Sequence, residues 1–304
     1  MGSEVATSPA GGGAWVFPGQ GSQRVGMGKA LAAAEPAAAD VFATADRVLG
    51  FPLSRTIFEG PAEALQATPV QQPAILTVSV AYLTVLRERE QLPAPAFVAG
   101  HSLGEYSALV AADALGFEDA LRLVRRRGEL MREHGAGAMA AVLGLAPEVV
   151  AAVAAEAGAE VANYNAPEQT IVSGRAEAVE RAMALARERG AKRALLLPVS
   201  GAFHSSLMGP VVEGMRPLLE ATAIGPARVP LVGNVEARAI SAPEALRREL
   251  LAQIVAPVRW LEVVRALSEA GVATFYEVGP GKVLAGLIGR CAPGARTVTA
   301  ESML

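Results

Sequence analysis

Cysteine is nearly absent. Cys291 stands alone among 304 residues, which excludes an intrachain disulfide framework and a cysteine-based structural zinc site; no metal site is expected, and a reducing cytoplasm suits the chain. Histidine is scarce too. Any step that needs an imidazole must draw on His101, His134 or His204. Positive charge is not in excess: 27 Lys and Arg against 30 Asp and Glu leave a net charge of −3, so no basic field calls for nucleic acid. No apolar run reads as long enough to span a bilayer, and no membrane association is expected. The first residues lack the basic and then apolar pattern of a signal peptide, and residues 1–13 are expected to form a disordered leader. No coiled-coil or swapping segment is evident, so a monomer is expected. Aromatics make up only 5%, while apolar residues reach 52%. That balance provides a sizeable core of small side chains, suited to helices packed closely on a sheet.

Short apolar runs alternate with longer helical patterns. Ala14–Phe17, Phe97–Ala99, Pro230–Val235 and Thr274–Val278 read as buried strands. Ala74–Glu90, Leu103–Ala112 and Phe117–Glu133 read as helices. This alternation predicts an α/β domain with a mostly parallel sheet. Residues 138–199 have a different rhythm: strand Met139–Leu143, helix Pro147–Ala157, strands Val161–Tyr164 and Gln169–Ser173, helix Ala176–Arg189, strand Arg193–Pro198. That β-α-β-β-α-β order is ferredoxin-like. The expected organisation is a large domain over 14–136 and 200–304 with a small insert over 137–199.

The sharpest motif is Gly100-His101-Ser102-Leu103-Gly104, a G-x-S-x-G between a predicted strand and a predicted helix. That setting is what a nucleophile elbow requires. The turn lifts the Ser102 hydroxyl onto a helix N-terminus, where the Leu103 N–H and the helix dipole can stabilise an oxyanion. The bland alternative is a Gly-rich turn capped by a serine. A serine nucleophile needs a base. His101 is adjacent in sequence, and neighbours on a tight turn point apart, which leaves it a pocket-lining role. His134 ends a helix and suits a structural one. His204 follows a buried strand in a loop, where catalytic groups collect, and is the expected base. Arg127 sits at the edge of the apolar face of its helix. An Arg leaning inward needs an anion; spacing alone favours an internal salt bridge, and a substrate carboxylate gripped bidentately is the alternative.

Two glycine-rich segments do not bind nucleotides on this reading. Phe17–Gln23 fails G-x-G-x-x-G because Arg24 replaces the third glycine, and Gly279-Pro280-Gly281-Lys282 fails the P-loop because Tyr276 replaces the first.

Together these segments resemble the malonyl-CoA:acyl-carrier-protein transacylases of bacterial fatty-acid synthesis and the related acyltransferase domains of polyketide synthases. Phe17–Gln23 is similar to FPGQGSQ, Gly100–Ala108 to GHSLGEYSA, Arg127-Gly128 to the R-G helix segment, Phe203-His204-Ser205 to the histidine segment, Pro257–Trp260 to PV-x-W and Tyr276–Val283 to YEVGPGKV. The resemblance implies a hydrolase-like α/β domain with a ferredoxin-like insert. It implies Ser102 as nucleophile, His204 as base and the backbone carbonyl of Gln253 as the group that orients the histidine. It implies an oxyanion hole from the N–H groups of Gln20 and Leu103, and a substrate pocket that includes Arg127, on the malonyl carboxylate, with His101 and Phe203. The donor would be malonyl-CoA, which releases CoA, and the acceptor the phosphopantetheine thiol of acyl carrier protein, with no cofactor. The sequence departs from the family at Gly201, where polyketide acyltransferases with a malonyl preference carry the first His of HAFH. A serine thioesterase or esterase, which would use a Ser, acid, His triad, and a non-catalytic docking module are the rivals. Arg125, Arg126, Lys192 and Lys282 are candidates for a basic docking patch.

Overall fold

A computed structural model describes residues 12–199 and 201–304. Its ten strands are β1 (Gly13–Phe17), β2 (Pro95–Gly100), β3 (Ala138–Leu143), β4 (Glu160–Ala166), β5 (Gln169–Gly174), β6 (Arg193–Leu196), β7 (Leu231–Val232), β8 (Ala239–Ile240), β9 (Thr274–Glu277) and β10 (Arg296–Thr299). They form two sheets. The larger has the order β10-β9-β1-β2-β7-β8; every neighbouring pair is parallel except β7 with β8. The smaller has the order β4-β5-β3-β6 and is antiparallel throughout. The protein is therefore α/β with a mostly parallel main sheet. β1 and β2 read as continuous apolar runs because helices cover both faces of a parallel sheet, and both are buried along nearly their whole length.

The apolar residues gather in three clusters. One surrounds the helix Thr68–Glu88, and a second lies around Trp260, Val264 and Phe275. The third, with Val142, Val153, Val172 and Val179, belongs to the small sheet and its helices Pro147–Ala157 and Ala176–Glu188. The small sheet is also stitched to the segment that leads into the helix Trp260–Glu269. Tyr164 N–H donates to the Val258 carbonyl at 2.9 Å and Val258 N–H to the Ala162 carbonyl at 2.8 Å.

Four sequence readings need correction. The helix expected from Ala74 begins at Thr68 and ends at Glu88. Pro69 sits in its first turn, where a missing N–H costs nothing. Pro73 cannot donate to the Pro69 carbonyl, and Arg125 Nη1 takes that acceptor at 3.0 Å, so the helix runs through. Over its full 21 residues this helix is long and apolar enough to cross a membrane, against the expectation of no such run, yet 89% of the relevant window is buried inside the protein as a core helix. The strand expected over Pro230–Val235 shrinks to β7 because Gly233 and Asn234 turn out of the sheet, and the Asn234 N–H goes to Glu105 Oε1 at 2.8 Å. Of the expected leader, residues 1–11 lie outside the described residues, while Gly13 already opens β1.

Candidate active site

Ser102 follows β2 by two residues and precedes the helix Gly104–Ala111. Its φ is 51°, a left-handed conformation rare outside glycine and characteristic of a strained elbow. The flanking glycines are steric requirements. A Cβ on Gly100 would lie 2.0 Å from the Gly104 carbonyl carbon, and one on Gly104 would lie 2.1 Å from the Phe17 carbonyl oxygen. Asn234 locks the turn from the far side: its Oδ1 accepts the Ser102 N–H at 2.7 Å and its Nδ2 donates to the Gly100 carbonyl at 2.7 Å.

His204, also left-handed at φ 56°, meets the serine through the fold: Nε2 lies 2.8 Å from Ser102 Oγ. Its Nδ1 lies 2.7 Å from the Gln253 carbonyl and 3.1 Å from that of Ala256. Both are acceptors only, so Nδ1 carries the proton and Nε2 turns its lone pair to the serine hydroxyl. Burial, and then the positive charge of Arg127, push the His204 imidazolium down to about 3. The ring is thus neutral and ready to accept a proton at ordinary pH. No carboxylate contacts it among the described residues, so the Ser, acid, His order of the esterase rival is not what the fold assembles.

Arg127 is 0% exposed and has no ion pair among the described residues. The internal salt bridge favoured by spacing is therefore not there. Its Nη1 donates to Gln72 Oε1 at 3.0 Å, and its Nη2 to Ser102 Oγ at 3.1 Å and Gln253 Oε1 at 2.9 Å; Nε has no partner. Burial lowers its pKa, with Tyr106 and Glu105 opposing. A desolvated cation beside a serine hydroxyl, held only by neutral amides, lacks an anion.

The remaining predicted residues divide. Gln20 hands its side chain to Gln71, and Gly19 lies so close to the elbow that a Cβ would sit 2.4 Å from the His101 carbonyl. Among the described residues neither the Gln20 nor the Leu103 backbone N–H has a partner. His101 turns its Nε2 to Asn165 Oδ1 at 2.8 Å beside the Trp260 ring, and burial pushes its pKa down. Phe203 is buried in the large apolar cluster. Gly201 has a steric reason to depart from histidine, since a Cβ there would lie 2.5 Å from the Gly135 carbonyl oxygen. His134 is exposed at its helix end. Of the docking candidates, Arg125 and Arg126 pair with Glu129 and Lys192 with Glu168, which leaves Lys282 as the one without an ion pair among the described residues. A cavity of about 530 Å³ lined by Leu83, Arg87, Val110 and Phe117 contains none of the site residues.

Asn234, Gln72 and Glu249 were not foreseen. Nothing local marks them; each becomes part of the site only when its helix or strand end is packed under the elbow.

A buried serine on an elbow with an imidazole at its hydroxyl is an arrangement that can support acyl transfer. A profile described as the acyl transferase domain matches residues 14–296, and the chain belongs to that family. The malonyl CoA-acyl carrier protein transacylase of Bacillus subtilis is 48% identical over 283 residues, which is 90% of this chain and 89% of that protein. The corresponding structure from Coxiella burnetii superimposes with a TM-score of 0.94 at 37% identity, covering 97% of this chain and 96% of that one. A malonyl-transacylase in complex with its type II PKS acyl-carrier protein superimposes with a TM-score of 0.91 at 42% identity, covering 94% of each chain.

Proposed function

We propose that this protein transfers a malonyl group from malonyl-CoA to the phosphopantetheine thiol of an acyl carrier protein, in two half-reactions through an ester on Ser102. The observation that carries the reading is the unpaired, fully buried Arg127 with its Nη2 3.1 Å from the Ser102 hydroxyl. An acyl group on Ser102 that ends in a carboxylate places its charge where a cation already waits.

In the first half-reaction His204 Nε2 takes the Ser102 proton as Oγ attacks the thioester carbonyl. Negative charge collects on the former carbonyl oxygen, for which the Gln20 and Leu103 N–H groups are the available donors. The C–S bond breaks, and the departing CoA sulfur takes the proton back from His204. In the second half the phosphopantetheine thiol gives its proton to His204 and attacks the ester carbonyl; the C–O bond to Ser102 breaks, and His204 returns the proton to Ser102 Oγ. Thioester and ester are at one oxidation level, so no electron carrier is called for. Gln253 orients both partners, with its carbonyl on His204 Nδ1 and its side-chain oxygen on Arg127.

The finer architecture is read the same way. The element and strand order of β3–β6 supports a ferredoxin-like insert over about residues 137–199, and the parallel sheet with the elbow after β2 supports a hydrolase-like main domain. We assign the protein to the cytoplasm as a monomer. The resemblance to a transacylase seated on a polyketide carrier supports either a fatty-acid or a polyketide carrier as acceptor.

Intact-protein mass measured after brief mixing with malonyl-CoA or acetyl-CoA tests the reading. A malonyl adduct on the wild type, formed faster than any acetyl adduct and lost in Ser102→Ala, is expected. Steady CoA release with no adduct on carrier or enzyme would instead support a hydrolase.

A further inference from the structure

Beneath the elbow the fold buries two carboxyl groups that the reaction does not use. Glu105, three residues after Ser102, is fully buried, and Glu249 on the helix Pro243–Ala252 is buried against it. Their carboxyls accept from adjacent amides, Glu105 from Asn234 and Glu249 from Val235, which sets the two acids side by side. Two buried carboxylates held side by side repel, and one proton between them relieves the repulsion. The charged and titratable groups around the pair are Arg127, Tyr106 and Glu236, with Arg238 and Arg248 lining the same cavity as Glu249, and neither carboxyl has an ion-pair partner among the described residues.

The chain is shaped to admit the pair. At Gly233 a Cβ would lie 2.6 Å from Glu249 Cδ, so the carboxyl keeps its present place only beside a glycine. The next two amides turn to the acids, Asn234 N–H to Glu105 Oε1 at 2.8 Å and Val235 N–H to Glu249 Oε1 at 2.9 Å. Gln253 Nε2 adds a bond to Glu105 Oε2 at 2.9 Å. The two residues thus anchored are the ones that set the site. Asn234 holds the Ser102 N–H and the Gly100 carbonyl, while Gln253 holds the Ser102 carbonyl, His204 Nδ1 and Arg127 Nη2.

We propose that Glu105 and Glu249 hold one proton in common and act as a positioning pair, fixing Asn234 and Gln253 so that Ser102, His204 and Arg127 meet. The inference rests on the Ser102–His204 reading of the site. A single proton satisfies the pair: one acid donates to one carboxylate, and the remaining lone pairs receive the Asn234, Val235 and Gln253 N–H groups. Removing that proton leaves two like charges side by side at a largely buried site, and the anchors part. Burial and the proximity of Glu249 raise the Glu105 pKa, and burial raises that of Glu249.

The test is steady-state malonyl transfer by the full chain, corrected for folded fraction, in Glu249→Ala and Glu249→Gln, with Ser102 labelling followed by mass. Glu249→Ala is expected to lower kcat by about tenfold or more, as misplaced reacting groups do, with KM held within about threefold. Glu249→Gln, which keeps an acceptor for the Glu105 proton without a second charge, is expected to recover most of the loss. It should also move the alkaline fall of kcat to higher pH than in the wild type. A wild-type kcat in Glu249→Ala, or a Glu249→Gln as impaired as the alanine variant, overturns the proposal. Should Glu249→Ala not fold, an alkaline limb in Glu249→Gln that coincides with the wild type overturns it as well. A wild type that never labels Ser102 removes the reading of the site itself, and the role of the pair with it; normal labelling with unaltered variants removes the pair's role alone.

Discussion

Replacing Arg127 by Met tests the substrate assignment with the least structural ambiguity. The methionine keeps much of the volume and loses the charge. The wild-type guanidinium makes three hydrogen bonds to neutral acceptors, at 3.0, 3.1 and 2.9 Å, and offsets none of its desolvation with a carboxylate. A hydrogen bond to a charged group contributes about 1.5–3 kcal/mol, and a malonyl carboxylate on Arg127 would gain at least one of these. The expected loss in kcat/KM for malonyl transfer is therefore about one to two orders of magnitude. Acetyl transfer has no carboxylate to place, and its rate should be spared or raised. Stability should change little, because the lost bonds to Gln72 and Gln253 are opposed by removal of an uncompensated buried charge, a trade that in other proteins is often neutral or favourable. The assay is stopped-flow release of CoA with each donor, alongside thermal unfolding of both proteins. Equal losses with malonyl-CoA and acetyl-CoA would refute the assignment and make Arg127 a structural residue.

Other outcomes follow from the same geometry. The folded state resists protonating His204 until about pH 3, whereas an unfolded histidine protonates near about 6.5. Between those values this group therefore makes stability fall as pH drops, by about 1.4 kcal/mol per unit, and His204→Gln should lack that slope in chemical denaturation. For the same reason, acylation by malonyl-CoA should show no acid limb near pH 6.5. Glu277 behaves oppositely: its carboxyl accepts the Leu284 and Ala285 N–H groups, yet burial raises it to about 7. Its folded pKa lies above its unfolded one, so its contribution falls as pH rises from about 4.5 to 7. The stability difference between wild type and Glu277→Gln should shrink over that window. Gly201→His should cost about 1–3 kcal/mol by overpacking against Gly135 and slow Ser102 acylation by moving His204; unchanged melting and rate would show that the loop relaxes freely.

The chemistry was written locally. G-x-S-x-G needs only its own glycines and the strand and helix around it to raise Ser102, and the period of Phe117–Glu133 turned Arg127 inward without reference to any other element. The strand alternation was legible for the same reason, since a parallel sheet covered on both faces imposes apolar runs that no loop would carry. What the sequence could not settle were questions of partner. Whether Arg127 met a glutamate or an empty site depended on Gln72 and Gln253, which are 55 and 126 residues away in the chain. The helix expected from Ala74 starts six residues earlier, through Pro73, and a side chain from another helix takes the carbonyl that Pro73 leaves unpaired. Glu105 stood in the motif with no visible purpose until Glu249 came to lie against it. Periodicity and local sterics act within a few residues and are carried by the sequence itself. The satisfaction of buried charges and amides is decided only when distant segments close around them, and at this site only the tertiary structure made that choice.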